Sequence, residues 1–507
     1  MSFDVSRRWF IGGLASWGAF GGSRVFGALP GTFSGGTPKL KFGVISDVHI
    51  RVNPKGPGFT NDYDTKTLEH ALTWYRDQGV DAVAVVGDIA DRGIVEEMEA
   101  FAATWFKVFP NDRAPDGRRV ERVVVYGNHD WGGRHYKPFV LGKYTSDENK
   151  IADHILIAKP KEHWERIFHE PWEHVYRKDV KGYTFIGAQW SNGWCRGKDE
   201  VGIQGLDEFF AAQKGKIDPS LPFFYFQHPH PKNTCYGPWA WGHDNGSATK
   251  NLSPYSNAVA FSGHSHYSLT DDRSIWQGAF TSLGTSSLRY TGITAKAMPQ
   301  GYENGSAGQR DKYDPYKIMN VKRIPTRDGR QGLLVSVYED RIVFARREFV
   351  YDTSLGEDWV MPLPAAESKP FAFAEHAKKV GVPEFEPGAK VSVKKARGRN
   401  RGSKKGNKNN VPSVEKDIYV IAFPAAKSTV SARVMDYEIA AVPKDGGEKV
   451  VRYMLPEGFN MSVSDKRVKK PVKCSIAADQ LPPEGTFRFE VRPRNSFGKT
   501  GAAITTA

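Results

Sequence analysis

Five short stretches of this chain set oxygen and nitrogen donors directly behind apolar runs. SDVH offers Asp47 and His49, GDIAD offers Asp88, and GNHD offers Asn128, His129 and Asp130. QHPHP follows with His228 and His230, and SGHSH with His264 and His266. Taken singly each is weak, because a strand-end Asp commonly closes a turn and a single His is more often packed than ligating. His264 and His266 carry more, since positions i and i+2 of an extended segment project to one face. All five stretches in one chain, with no thiol among them, make coincidence remote and point to a metal site.

The elements that must position these residues can be read from the apolar pattern. Leu40 to Ser46, Asp81 to Asp88, the VVVY run from Val123, Pro222 to Gln227 and Asn257 to Ser262 read as buried strands. Gly127 is expected to let the chain turn from VVVY into the site. Asp64 to Gln78 reads as a helix, capped by Asp64, ended by Gly79 and striped by Leu68, Ala71, Leu72 and Tyr75. A second helix is expected from Ile94 to Lys107. Alternating strands and helices of this kind predict an α/β layered sheet, and sites in such sheets form where the carboxyl ends of strands meet. Gly332 to Glu339 and Arg341 to Phe349 read as a closing hairpin.

D-x-H, G-D, G-N-H-D, H and G-H-x-H, in that order and each after a strand, resemble the calcineurin-like metallophosphoesterase superfamily over Lys39 to Phe349. The resemblance implies a four-layer α/β/β/α sandwich over residues 39–350. It also implies two divalent or mixed-valence ions of the Mn, Fe or Zn class. Carried over, Asp47, His49 and His266 would hold one ion, and Asn128, His228 and His264 the other, with Asp88 as the bridge. His230 is the second candidate for the His228 role. His129 would be the catalytic acid or charge-stabilising group, and Asp130 either orients it or lies at the surface. The chemistry agrees. Two close metals hold phosphoryl oxygens and lower the pKa of a bridging water, leaving a hydroxide in line. A neutral ligand such as Asn128 keeps the site from repelling its anionic substrate, and N/O ligation suits these ions. His129 can protonate the leaving alkoxide. The purple acid phosphatases of this superfamily carry a tyrosine ligand three residues after the bridging Asp. Here that position is Asp91, which argues against a purple iron site.

The remaining sequence bounds the setting. Ser6, Arg7, Arg8, Trp9, Phe10 and Ile11 resemble the twin-arginine export motif, so residues 1–28 are expected to be a signal directing the chain to the periplasm or cell surface. Residues 351–382, proline-bearing, read as a connector. From 383 to 507 only period-two alternation remains, as at Tyr437 and Ile439 or Phe487, Phe489 and Val491, which predicts a small β-sandwich. The ending FRFEVRPRNSFGKTG resembles a fibronectin type III module. The formal charge of +14 is concentrated in KKARGRNRGSKKGNKNN, residues 394–410, which read as a disordered basic loop. That loop is either a solvated insertion or an attachment to an anionic surface polymer or lipid. Cys195 and Cys235 either pair after export or remain buried thiols. Trp131, Tyr136, Trp194, Tyr236, Trp239 and Trp241 either wall a substrate pocket, with Arg134 reaching a phosphate, or pack their own loops. Ser286 and Ser287 read as structural, close to the metals. The expected activity is hydrolysis of phosphate mono- or diesters. The alternatives are a metal-dependent nuclease, or a surface-binding protein with a vestigial site.

Overall fold

A run of apolar residues with no polar interruption suits a strand covered on both faces, and the first part of the chain repeats that pattern around two sheets. The computed structural model describes residues 36–52, 62–191, 202–237, 240–292, 318–319, 324, 326–399 and 414–506. The expected export motif, Trp194, Cys195, Trp239 and residues 400–413 lie outside the described residues.

Strands β1 (Leu40–Ile45), β2 (Ala82–Val86) and β3 (Glu121–Val125) pair in parallel, Phe42 opposite Ala82 and Val83 opposite Arg122. In the second sheet β4 (Val175–Val180) precedes β5 (Tyr183–Ala188), β6 (Phe223–Gln227) and β7 (Ala258–Ser262). After β8 (Ile275–Gln277) and β9 (Thr281–Gly284) comes β10 (Ile318–Met319). The hairpin of β11 (Gln331–Val337) and β12 (Arg341–Glu348) then returns to β1, followed by β13 (Thr353–Ser354) and β14 (Trp359–Pro362). The orders are β13-β12-β11-β1-β2-β3, with β14 beside β12, and β4-β5-β6-β7-β9-β8.

The inner faces of the sheets meet in an aromatic core. The Phe42 ring lies 4.7 Å from Phe224 and 5.1 Å from Phe185, and Phe226 stacks on Phe261 at 5.4 Å. On the outer face of the first sheet, helix α1 (Asp62–Asp77) buries Leu68, Leu72 and Tyr75, and α2 (Val95–Val108) buries Phe101 and Trp105. Leu206, Phe210 and Leu252 cover the outer face of the second. The result is the expected α/β/β/α sandwich with mixed sheets.

Three expectations fail in detail. α1 begins before Asp64, so Asp64 does not cap it; the side chain is buried beside Arg289 and Arg51 instead. The supposed connector is partly sheet and core. Trp359 to Pro362 pairs with Arg341 to Phe344, and Leu355, Trp359, Met361 and Phe371 sit in the inter-sheet core. Four apolar-centred residues ahead of a proline are too short to show a period. Within the supposed basic loop, Lys394 to Arg399 belongs to an edge strand, β15 (Ser392–Arg399). Lys394, Lys395, Arg397 and Arg399 lie along an open sheet margin, where charge discourages pairing with another chain.

β15 opens the C-terminal all-β region, with β16 (Glu415–Phe423), β17 (Asp436–Pro443), β18 (Val450–Met454), β19 (Val472–Ala477), β20 (Phe487–Arg494) and β21 (Ile504–Thr505). Two four-stranded antiparallel sheets, β10-β19-β16-β15 and β18-β17-β20-β21, enclose Ile421, Phe423, Tyr437, Ile439, Phe489 and Val491. Strand β10 comes from the first part of the chain yet pairs with β19. Among the described residues, no helix is long and apolar enough to cross a membrane.

Candidate metal centre

The loops that follow β1, β2, β3, β6 and β7 converge at one edge of the sandwich, and their backbones are unusual. Asp47, His49, Asp88, His264 and His266 all have left-handed φ, between 48° and 68°. Residues other than glycine seldom adopt that region, and each instance costs about 1–3 kcal/mol unless its surroundings impose it. Here hydrogen bonds impose it: Asp47 N donates to Gly87 O at 3.0 Å, His49 N to Asp88 O at 2.9 Å and Gly263 N to His228 O at 2.9 Å. Gly127 serves a different purpose from the one expected. Its φ of −107° is open to any residue, but a Cβ there would lie 2.3 Å from Asp88 Oδ1 and 2.7 Å from His228 Cδ2. The glycine is a close approach of backbone to ligands. At Gly87 both reasons apply, φ +84° and a Cβ 2.3 Å from the His228 ring.

Asp47, His49, Asp88 and His266 form one group of mutually close donor atoms, and Asp88, His228 and His264 a second, so Asp88 belongs to both. His266 Nε2 lies 2.9 Å from Asp47 Oδ1 and 3.2 Å from His49 Nε2, and His228 Nε2 lies 3.2 Å from Asp88 Oδ2. Outer partners turn the rings. Val86 O binds His228 Nδ1 at 2.7 Å and Tyr290 O binds His266 Nδ1 at 2.9 Å. A carbonyl only accepts, so each Nδ1 carries a proton and each Nε2 is turned toward the centre. Asn128, the first residue of the short helix α3 (Asn128–Trp131), buries an Oδ1 that has no hydrogen-bond partner. Asp47 Oδ1 and His228 Nε2 likewise form no well-aligned hydrogen bond, although both are buried. Buried polar atoms are rarely left so, and cations bound by the two donor groups would satisfy all three. The donor set fits two divalent ions.

The charges point the same way. Burial pushes both carboxylates toward protonation, but His266 and His228 hold Asp47 below the usual range. For Asp88, His228 and His129 outweigh burial and hold it well below. Burial drives His264 down to about 3, with His228 adding to the effect. Burial also weighs on His228, yet Asp88 and Asp47 raise it to about 9. A fully buried pair of carboxylates thus draws positive charge to itself, as a cation site must.

The flanking residues separate into functional and structural. His129 binds Asp91 O through Nδ1 at 2.7 Å, its backbone N donates to Asp88 Oδ1 at 2.8 Å, and its ring lies 4.6 Å from that of His49. Asp130 neither orients the His129 ring nor lies at the surface. It is buried and accepts from the backbone N of Ala90, Gly127 and Ile89 at 2.7, 2.8 and 3.2 Å, tying two ligand loops together. His230 binds the hydroxyls of Ser262 and Ser265, both at 2.7 Å, whereas His228 lies with Asp88 and His264 in one donor group. Ser287 Oγ donates to Asp47 O at 3.1 Å. Cys235 is a buried free thiol. Of the aromatic residues, Tyr236 packs against Tyr267 and Trp131 within its own layer, while Trp241, 41% exposed, stacks on His264 at 4.5 Å. The Arg134 side chain is exposed and forms no hydrogen bond or ion pair with another described residue.

Several residues escaped the sequence reading. Asp91 Oδ1 faces His49 Nδ1 at 3.3 Å, so the position read only as lacking a tyrosine orients a ligand. Trp190 is buried with its ring 5.4 Å from His264. Tyr290 lies with its ring 4.3 Å from His266. Arg51, Arg289, Arg327 and Arg330 line a cleft beside the centre. Only Arg51, two residues after His49, stood near a motif.

Residues 40–268 match the family model described as calcineurin-like phosphoesterase. No curated protein matches the chain by sequence. Among solved structures, a dimetal phosphatase from Danio rerio is similar at 15% identity and TM-score 0.35, covering 64% of this chain and 99% of that one. A purple acid phosphatase from yellow lupin seeds is similar at 11% identity and TM-score 0.33, covering 63% and 53%.

Proposed function

We propose that residues 40–268, which match the calcineurin-like phosphoesterase model, form a metal-dependent phosphoesterase domain, and that the chain hydrolyses phosphate mono- or diesters at a binuclear metal centre outside the cytoplasm. Asp47, His49 and His266 would hold one ion and Asn128, His228 and His264 the other, with Asp88 shared by both donor groups. The ions supply Lewis-acid polarisation of the phosphate and activation of water. The protein's own part is positional. Carbonyls at Val86 and Tyr290 keep Nε2 of His228 and His266 turned inward. His129 commits its Nδ1 proton to Asp91 O, so the protonated ring has its Nε2 proton to give to the leaving oxygen. Burial lowers the His129 pKa, but Asp88 and the Asp91 carbonyl more than offset that and keep the ring charged more readily than usual.

The single observation that carries this reading is the convergence of Asn128 Oδ1, Asp47 Oδ1 and His228 Nε2, buried and without a well-aligned hydrogen bond, around a shared Asp88. The test is turnover of p-nitrophenyl phosphate and bis-p-nitrophenyl phosphate by mature, Mn²⁺-loaded protein beside Asp88→Ala. Metal-dependent turnover lost in the variant supports the reading. A folded protein inert with Mn²⁺, Zn²⁺ and Fe²⁺ contradicts it.

Export rests on the twin-arginine resemblance of Ser6 to Ile11. The fibronectin type III reading of the C-terminal region is supported by its two antiparallel four-stranded sheets around one core. An anionic surface polymer or lipid is the partner proposed for residues 394–410, because Lys394 and Lys395 stand exposed on the open edge of β15. Deleting residues 400–410 and mutating the two lysines should weaken sedimentation with anionic vesicles or teichoic polymer. Unchanged sedimentation would discard that partner.

A further inference from the structure

A cleft of about 490 Å³ opens directly beside the ligand cluster and shares two walls with it, Asp91 and Tyr290. Asp91 faces His49 at 3.3 Å, and Tyr290 gives His266 both its carbonyl and its ring contact. A group occupying the cleft is therefore adjacent to a phosphate at the centre.

The cleft is strongly cationic. Four guanidinium groups, on Arg51, Arg289, Arg327 and Arg330, face two carboxylates, Asp64 and Asp91. Both carboxylates are already engaged. Asp64 Oδ2 lies 3.2 Å from Arg289 Nη1 and 3.8 Å from Arg51 Nε, and Asp91 turns its other oxygen to His49. Arg289 is spent further on His49 O, which fixes a ligand loop. Arg330 stacks on Tyr63 at 3.9 Å and binds the Thr67 hydroxyl. Arg330 and Arg327 form no ion pair with a described residue, while Arg51 Nε lies 3.8 Å from Asp64 Oδ2 and 4.0 Å from Asp91 Oδ2 without a hydrogen bond to either. Four guanidinium groups against two carboxylates leave an excess of positive charge around a concave space, which is suited to bidentate recognition of phosphate or carboxylate.

The turn that carries Arg327 is held in place. Thr326–Asp328 is a turn of 3-10 helix whose Asp328 Oδ2 accepts from Arg467 Nη1 of the C-terminal region at 2.6 Å. Ile324 packs with Met435, Leu455 and Phe459, and Asn460 Nδ2 binds Thr291 Oγ1 at 2.7 Å. The C-terminal region thus braces one wall of the cleft.

We propose that this cleft is a subsite for a second anionic group, so that the preferred substrate is a phosphate ester bearing a further phosphate or carboxylate a few bonds from the scissile phosphorus. The scissile phosphate sits at the ligand cluster, and the second anion is gripped by Arg327, Arg330 and Arg51. The inference rests on the phosphoesterase reading, and its test separates the two.

Metal-loaded full-length protein is titrated by calorimetry with 1,3-propylenediphosphonate and with propylphosphonate, whose P–C bonds are not hydrolysed, so binding is read without turnover. A charge-assisted contact of this kind corresponds to about 10- to 100-fold in affinity. The diphosphonate is expected to bind more tightly than the monophosphonate by that factor. Arg327→Gln should bring the ratio to within about 3-fold; Arg327→Lys should restore part of it. Added salt should reduce it, because the cleft is open to solvent. Kinetically, the ratio of kcat/KM for a sugar bisphosphate over its monophosphate should fall in parallel. Equal affinity for the two phosphonates in the wild-type chain, or an Arg327→Gln ratio unchanged from wild type, overturns the subsite. Ester turnover without diphosphonate preference removes the subsite and leaves the phosphoesterase reading. An Arg327-dependent preference in a chain that hydrolyses no ester retains the anion site and removes the hydrolytic reading.

Discussion

The two sheets bring unlike chemistry to the same edge. From β1, β2 and β3 come the carboxylates Asp47 and Asp88, the amide of Asn128 and the rings of His49 and His129; from β6 and β7 come only imidazoles, His228, His264 and His266. The first sheet alone would bury two carboxylates close together, and the second alone three imidazoles with no counter-charge. Each half is electrostatically unfavourable by itself. Face-to-face packing brings acid to base, with His228 Nε2 3.2 Å from Asp88 Oδ2 and His266 Nε2 2.9 Å from Asp47 Oδ1. Formation of the site is therefore tied to the aromatic core around Phe42, Phe224 and Phe226 that joins the sheets.

The sharpest way to break this pairing is to remove the shared carboxylate. Asp88→Ala should abolish measurable turnover and strip both ions, because Asp88 belongs to both donor groups; elemental analysis and p-nitrophenyl phosphate hydrolysis check it. His129→Ala should lower kcat by about 10²- to 10⁴-fold while leaving metal content intact, which separates proton transfer from ligation. Phe42→Ala touches no ligand yet should cost about 3–5 kcal/mol in denaturant unfolding, and metal retention should fall with it if the sheets must pack to make the site. Asp91→Asn should weaken metal affinity or activity by about 10- to 100-fold, since it faces the Nδ1 of His49. The smallest effect on chemistry is expected from His230→Ala. Its loss leaves the Ser262 and Ser265 hydroxyls short of a partner, a cost of about 1–3 kcal/mol, with metal content unchanged.

What the sequence made legible was whatever depends on local order. Apolar runs ending in Asp or His located the strands and the converging loops, because a buried strand and its exit turn are consecutive in the chain. The layering followed from alternation of those strands with striped helices such as α1 and α2. What escaped were contacts between distant segments. Arg327 and Arg330 reach the cleft from a turn braced by Arg467, and no spacing announces that. Asp130 looked like a partner for its neighbour His129, but its carboxylate is claimed by backbone groups of the preceding loop. Gly127 suggested a turn, whereas its need arises from Asp88 and His228, which approach from other strands. The short β14 lacked the length to show a pattern, and the edge strand β15 carried the composition of a loop.

The most direct test of the joint site is the metal content of purified full-length protein, by mass spectrometry, in the wild type and in Asp88→Ala, with hydrolysis of p-nitrophenyl phosphate measured on the same samples before and after chelation. The account predicts two ions per wild-type chain, loss of both in the variant, and turnover that vanishes with chelator and returns with Mn²⁺. A wild-type chain that is folded, takes up no divalent ion and hydrolyses ester equally well in chelator would contradict it.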